Sequence, residues 1–274
     1  MILSPIEQSI KRKIEAVGTP LKDWDIQIYR GVLTGCNEAF IISTEKRNEI
    51  LANCQSEDER KRTDELIRPI LRGRDIKRYG YDWAGLYLIA TFPSCHYDIE
   101  QYPAVKNYLL SFGIERLEQT GKVHNINGNK VKARKKTNNK WFETQDSISY
   151  WEDFSKPKII FQEIVQESQF FYDTEGEFFC NDTGRIITGK YLPFLLSIFN
   201  SKLFFYAVKR FYGGGSLGED GVRMKHTFFQ NFPCINEQTT INMSIGTNDV
   251  MQIDRTICAE YGLSEEEIEF IIST

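Results

Sequence analysis

PKIIFQEIVQESQFFYDTEGEFFCNDTGRIITGKYLPFLLSIFNSKLFFYAVKRF, residues 157–211, decides the fold. Its first half holds four short runs rich in β-branched and aromatic residues: KIIF, QFFY, EFFC and RIIT, ending near Thr188. Such runs, separated by Gly, Asp and Glu, read as short strands. Its second half, YLPFLLSIFNSKLFFYAVKRF (residues 191–211), is strongly apolar and long enough for a pair of core helices. Working outward, DWDIQIYRG alternates polar and apolar residues as a half-buried strand does, and AFIIS reads as its hairpin partner across LTGCNE. Residues 45–54 and 57–67 are polar helices, the second closed by Pro69. LYLIATF (residues 86–92) is a buried central strand, and residues 102–117 form a helix with Tyr108, Leu109 and Phe112 facing inward. Ile6, Ile10 and Ile14 stripe an N-terminal helix closed by Gly18 and Pro20. Ser264 and Glu267 make a capping box in the tail. Strands and helices follow no βαβ alternation, so the class is α+β: a mixed β-sheet with packed helices and a C-terminal helical tail.

Composition narrows the function. The 274 residues are 41% hydrophobic and 26% charged, which excludes disordered and fibrous classes. No apolar run reaches the roughly 20 residues of a spanning helix. The N-terminal MILSPIEQSIKRK lacks the basic-then-apolar order of a signal peptide, which predicts a cytoplasmic chain. The six cysteines show no C-x-x-C pair and the three histidines are scattered, so neither a disulfide scaffold nor a metal site is expected. GGGSLGEDG (residues 213–221) lacks the Gly-Lys-Ser/Thr ending of a phosphate loop and reads as a plain loop. No G-x-S-x-G, H-E-x-x-H or kinase signature occurs. A self-contained active site is therefore not expected.

The net charge of −4 conceals two basic segments. LRGRDIKRYG carries Arg72, Arg74, Lys77 and Arg78 around a turn at Gly73, although acids nearby offer these residues partners too. Residues 121–140 carry Lys122, Lys130, Lys132, Arg134, Lys135, Lys136 and Lys140 with no acid at all. Lys and Arg neutralise phosphates, while Asn138 and Asn139 can bond phosphates or base edges. Trp141 and Phe142 either stack on a base or anchor the segment in the core. The segment lacks an apolar face, so it reads as an exposed loop or a hairpin with a mobile tip, poorly ordered without DNA.

Five collinear blocks carry a family resemblance: GVLTGCNEAFIIS (residues 31–43), LIRPILRGRDIKRYG (66–80), NKWFETQDSISYWEDFSKPKIIF (139–161), NDTGRIITGKYLPFLLSIFNSKL (181–203) and YGLSEEEIE (261–269). Together they resemble the TaqI-like C-terminal specificity domain of adenine-specific DNA methyltransferases, including Eco57I-type restriction-modification enzymes. The resemblance implies a helical linker over residues 1–22, a DNA target-recognition domain over 23–235 and a helical tail over 236–274. It implies double-stranded DNA as partner. Contacts are expected from Arg72, Arg74, Lys77, Arg78, Lys130, Lys132, Arg134, Lys135, Lys136, Asn138, Asn139 and Lys140. It also implies a catalytic domain on the same polypeptide that uses S-adenosylmethionine and an Asn-Pro-Pro-Tyr/Phe motif. This chain has no Pro-Pro dipeptide, so it is expected to be a specificity fragment with no cofactor or catalytic residue of its own. The rival readings are a protein-interaction module whose acidic faces dock partner subunits, and a nuclease.

Overall fold

The computed structural model describes residues 2–212, 216–217, 221–236 and 250–274. At its centre is an antiparallel four-stranded sheet in the order Phe170–Asp173, Lys158–Gln162, Gly184–Gly189, Ile26–Arg30. Successive side chains on a strand point to opposite faces. Ile159, Phe161 and Ile187 therefore enter one apolar core, and Ile160 and Ile186 enter another. All five are fully buried. This two-sided burial is why KIIF and RIIT are continuous apolar runs rather than alternating ones.

The first core is closed by helices. Pro5–Val17 buries Ile10 and Ile14, as their spacing predicts. The 191–211 run forms the expected pair, Leu192–Phe199 and Lys202–Arg210. Val250–Glu260 and Glu265–Ser273 complete the layer, the latter starting on the Ser264–Glu267 capping box. The second core lies under another sheet, ordered Phe179–Cys180, Ile67–Leu71, Leu86–Ile89, Ile41–Ser43. Leu86–Ile89 is an interior strand there, and the fold is α+β.

Two expectations are corrected. AFIIS does not pair with DWDIQIYRG: Ile41–Ser43 pairs with Leu86–Ile89, and Ile26–Arg30 pairs with Gly184–Gly189. Between them Thr34 Oγ1 donates to Asn37 Oδ1 at 2.7 Å and accepts from the Cys36 amide. The helical turn Asn37–Phe40 follows, burying Ala39 and Phe40 and carrying the chain into the second sheet. The 102–117 helix is two, Pro103–Leu110 and Ile114–Leu117, parted at Gly113 with φ +84°, a conformation glycine adopts without strain. Within residues 121–140, Val123–Ile126 and Asn129–Lys132 form a β-hairpin, one of the two forms expected there. Of GGGSLGEDG, residues 213–215 and 218–220 lie outside the described residues, and Ser216–Leu217 pairs with Gly221–Arg223. No helix among the described residues is long and apolar enough to cross a membrane.

One buried ion pair anchors the central sheet. Lys158 Nζ, fully buried, donates to Asp173 Oδ2 at 2.6 Å and to the Phe154 carbonyl. Asp173 in turn accepts the amides of Glu177 and Phe178. Every charged atom is thus matched, the condition under which a buried pair is tolerated.

Two carboxylates fasten the N-terminal helix. Glu267 accepts from Ser9 and Lys13, at 2.7 and 2.6 Å. Glu7 accepts from Tyr206 and Arg210, both at 2.7 Å. Burial alone would raise both carboxyl groups, but these hydrogen bonds and those to Ser264 and Ser4 outweigh it and hold each at about 2. A lowered carboxyl pKa stabilises the folded state above the unfolded value and loses that effect as pH falls through the folded one. Glu267→Gln is therefore expected to lower the denaturation midpoint most at neutral pH. The gap from wild type should narrow below about pH 4.5 and close near pH 2. A gap independent of pH in urea titrations would show that the carboxylate's charge contributes nothing.

Candidate nucleic-acid interface

The basic hairpin turns through Asn127 and Gly128 at φ +51° and +82°. Two consecutive positive φ values are the mark of the tight turn that suits strand twist, and Asn-Gly is its preferred sequence. Below the ladder, the Ala133 amide donates to Lys122, the Gly121 amide to Arg134 and the Arg134 amide to Glu118. His124 Nε2 lies 2.6 Å from Glu118 Oε1. The hairpin thus stands on the Ile114–Leu117 helical turn.

Arg134 is not a surface residue, which corrects its assignment as a DNA contact. It is 4% exposed and spends its guanidinium on main-chain carbonyls. Nε donates to Leu117, Nη1 to Thr34 and Glu143, and Nη2 to Trp141, all at 2.7–2.8 Å. The group also lies over the Phe40 ring, 5.0 Å from its centroid. Burial pulls its pKa down to about 10, still charged at neutral pH. One side chain thereby joins the hairpin base, the Thr34–Asn37 turn and the segment after the hairpin. Nothing in KARKK marks it out, because the strand ends at Lys132 and the alternation that would place Arg134 beside it stops there.

The lysines around it behave oppositely. Lys122, Lys130, Lys132, Lys135 and Lys136 are exposed, and none forms an ion pair among the described residues. Lys140 is also exposed, its Nζ 5.5 Å from the Phe142 ring centroid. Asn138 is exposed, and its side chain makes no hydrogen bond among the described residues. Asn139 is structural, its Nδ2 donating to the Gln145 carbonyl at 2.9 Å. Phe142 is buried and Trp141 packs edge-on against it, so this pair anchors the segment. Between hairpin and Thr34–Asn37 turn lies a cleft of about 470 Å³ lined by Lys130, Lys132, Lys135, Gly35, Arg116 and Glu38. The last two, which sequence reasoning missed, pair at 3.1 Å. They stand 78 positions apart in the chain, and only the fold brings them together.

The first basic segment is mostly neutralised. Arg72 grips Asp75 with two parallel hydrogen bonds, at 2.9 and 2.8 Å. Lys77 donates to the Arg74 carbonyl and faces Asp82 at 3.9 Å, while Arg78 faces Asp254 at 3.6 Å. Of the four, Arg74 alone is exposed and without an ion pair among the described residues. This segment packs on the Lys158–Gln162 and Phe170–Asp173 strands, whereas the hairpin stands on Ile114–Leu117. No hydrogen bond or ion pair among the described residues links the two basic segments.

Among the described residues no three His, Cys, Asp or Glu side chains group to hold a metal ion. A search of curated proteins returns no match. Among solved structures, the type IIL restriction-modification enzyme MmeI in complex with DNA aligns at a TM-score of 0.56 and 12% identity, over 93% of this chain and 36% of that one. The type IIG restriction endonuclease BpuSI aligns at 0.48 and 14%, over 98% of this chain and 28% of that one. This chain thus spans about a third of the length of those structures, and the first likeness is one of fold. The family model described as the TaqI-like C-terminal specificity domain matches residues 68–233, more than half of the sequence. The chain belongs to the family of TaqI-like C-terminal specificity domains.

Proposed function

We propose that this chain is the DNA target-recognition module of a restriction-modification enzyme. The observation that carries it is the hairpin: five exposed lysines on it and beside it, without ion pairs among the described residues, in a chain whose net charge is negative. Their mutual repulsion is relieved when a polyanion arrives, and phosphate contacts set register on a duplex. Asn138 and Lys140 follow the hairpin with exposed side chains suited to base edges. Arg74 is a further phosphate contact. Family membership and the fold shared with MmeI support the reading.

The catalytic partner in this proposal is an adenine-N6 methyltransferase domain on the same polypeptide, which would flip the target base. S-adenosylmethionine would supply the methyl group there. The residues present do not fit that cofactor. The Gly184–Gly189 strand enters the Leu192–Phe199 helix through Lys190 and Tyr191, with Pro193 in the first turn and no glycine cradle for a nucleoside. No methyl-transfer step is assigned to these side chains.

Two variants separate charge from scaffold. Replacing Lys130, Lys132, Lys135 and Lys136 with Ala should leave the denaturation midpoint unchanged. It should reduce the slope of log K against log salt on duplex DNA by roughly three to four. Anisotropy titrations at several salt concentrations read this, and unchanged slopes would remove the hairpin from the interface. Arg134→Met should do the reverse, costing about 3–5 kcal/mol of stability, because it strips donors from four carbonyls at once. A wild-type midpoint for that variant would contradict its role as a latch.

A further inference from the structure

We propose that Asn127, at the tip of the basic hairpin, is a self-modification site: its side chain deamidates under attack by the following backbone nitrogen and becomes a carboxylate among the lysines. Asn127-Gly128 is the one Asn-Gly step in the 274 residues. Glycine has no Cβ to shield its amide, so it is the least hindered neighbour an asparagine can have. Elsewhere around the hairpin the neighbour is bulkier: Ile126 follows Asn125, Lys130 follows Asn129 and Asn139 follows Asn138. The structure also leaves the reacting groups free. Asn127 and Gly128 are both exposed, and a Cβ placed on Gly128 would meet no atom within 4 Å. The ladder stops at the Ile126–Asn129 pair. Neither the Gly128 amide nor the Asn127 side chain forms a hydrogen bond among the described residues. Asn200-Ser201 shows the opposite setting. Asn200 is 1% exposed, its Oδ1 accepts the Phe170 amide and its Nδ2 donates to the Phe170 carbonyl.

The step needs no reagent but water. The Gly128 amide gives its proton to solvent and its nitrogen bonds to Asn127 Cγ. The Cγ–Nδ2 bond breaks, and ammonia leaves after taking up a proton. Water then opens the cyclic imide at either carbonyl. One opening gives aspartate, and the other gives isoaspartate, whose main chain runs through the side-chain methylene. Attack requires Asn127 to rotate out of its turn conformation at φ +51°. A hairpin tip with exposed hydrogen bonds opens locally at small cost. Lys130 and Lys132, on the returning strand and without ion pairs among the described residues, favour the anionic amide and the carboxylate product. Isoaspartate also lengthens a two-residue turn, and turn length sets hairpin register. Either product places a negative charge beside the lysines, where it opposes phosphate. That last consequence rests on the hairpin's role in DNA binding, whereas the deamidation does not.

The test incubates the folded wild-type chain at mildly alkaline pH beside Asn127→Gly, a variant that suits positive φ and lacks the reacting amide. Peptide mass mapping reads the exchange of NH2 for OH at each asparagine, and enzymatic methylation of isoaspartate identifies the second product. Asn127 should convert about tenfold faster than Asn125, Asn129 or Asn138, because glycine alone leaves the attacking nitrogen unshielded. Its rate should rise with pH, since the amide must lose a proton first. No mass gain at Asn127, or a rate no higher than at those three asparagines, would overturn the proposal. Aged and fresh proteins are then titrated with duplex DNA. A severalfold loss of affinity is expected in aged wild type and not in aged Asn127→Gly. A converted chain with undiminished affinity would uphold the modification and count instead against the hairpin as the DNA contact.

Discussion

Two strands with no solvent-facing side organise this molecule. Lys158–Gln162 and Gly184–Gly189 send neighbouring isoleucines into different cores, so a shift of register by one residue would exchange the contents of both. That double commitment specifies the pairing far more strongly than a one-faced sheet does. It also explains the buried Lys158. With apolar layers above and below, an ammonium at the strand's start has no route to water, and the fold supplies Asp173 directly across the ladder. The pair gives register information as well as charge balance.

What could be read from the sequence follows from the same physics. Apolar runs such as KIIF, RIIT and the 191–211 helices declare burial through local pattern, and they formed as read. Pairing partners do not declare themselves. AFIIS and DWDIQIYRG are adjacent in sequence, yet each finds a better-matched neighbour far along the chain. The break at Gly113 was missed because Tyr108, Leu109 and Phe112 kept a helical spacing up to it. Basic residues posed the hardest case, since periodicity sees charge but not depth. Arg134 and Lys135 are adjacent cations, and one is sealed among carbonyls while the other faces solvent.

That contrast has a chemical logic. A planar guanidinium carries five donors and tolerates desolvation better than an ammonium, so Arg serves where several carbonyls converge. Lysine keeps a strongly hydrated point charge on a flexible stem, suited to meeting phosphates at varying angles. Across the chain the arginines Arg72, Arg78, Arg116 and Arg185 are tied to Asp75, Asp254, Glu38 and Glu163. The unpaired positive charge is left chiefly to lysines. Net charge therefore describes this surface poorly: acids and arginines cancel locally, and the hairpin retains a field of its own.

The sheet order also sets a timetable. Ile28 faces Ile187, so the strand Ile26–Arg30 must wait for about 150 further residues of synthesis before its one sheet neighbour among the described residues exists. Until then its apolar face and open edge stay unsatisfied, as does the N-terminal helix whose core is completed by the tail. Completion of the central sheet during synthesis is consequently a late event.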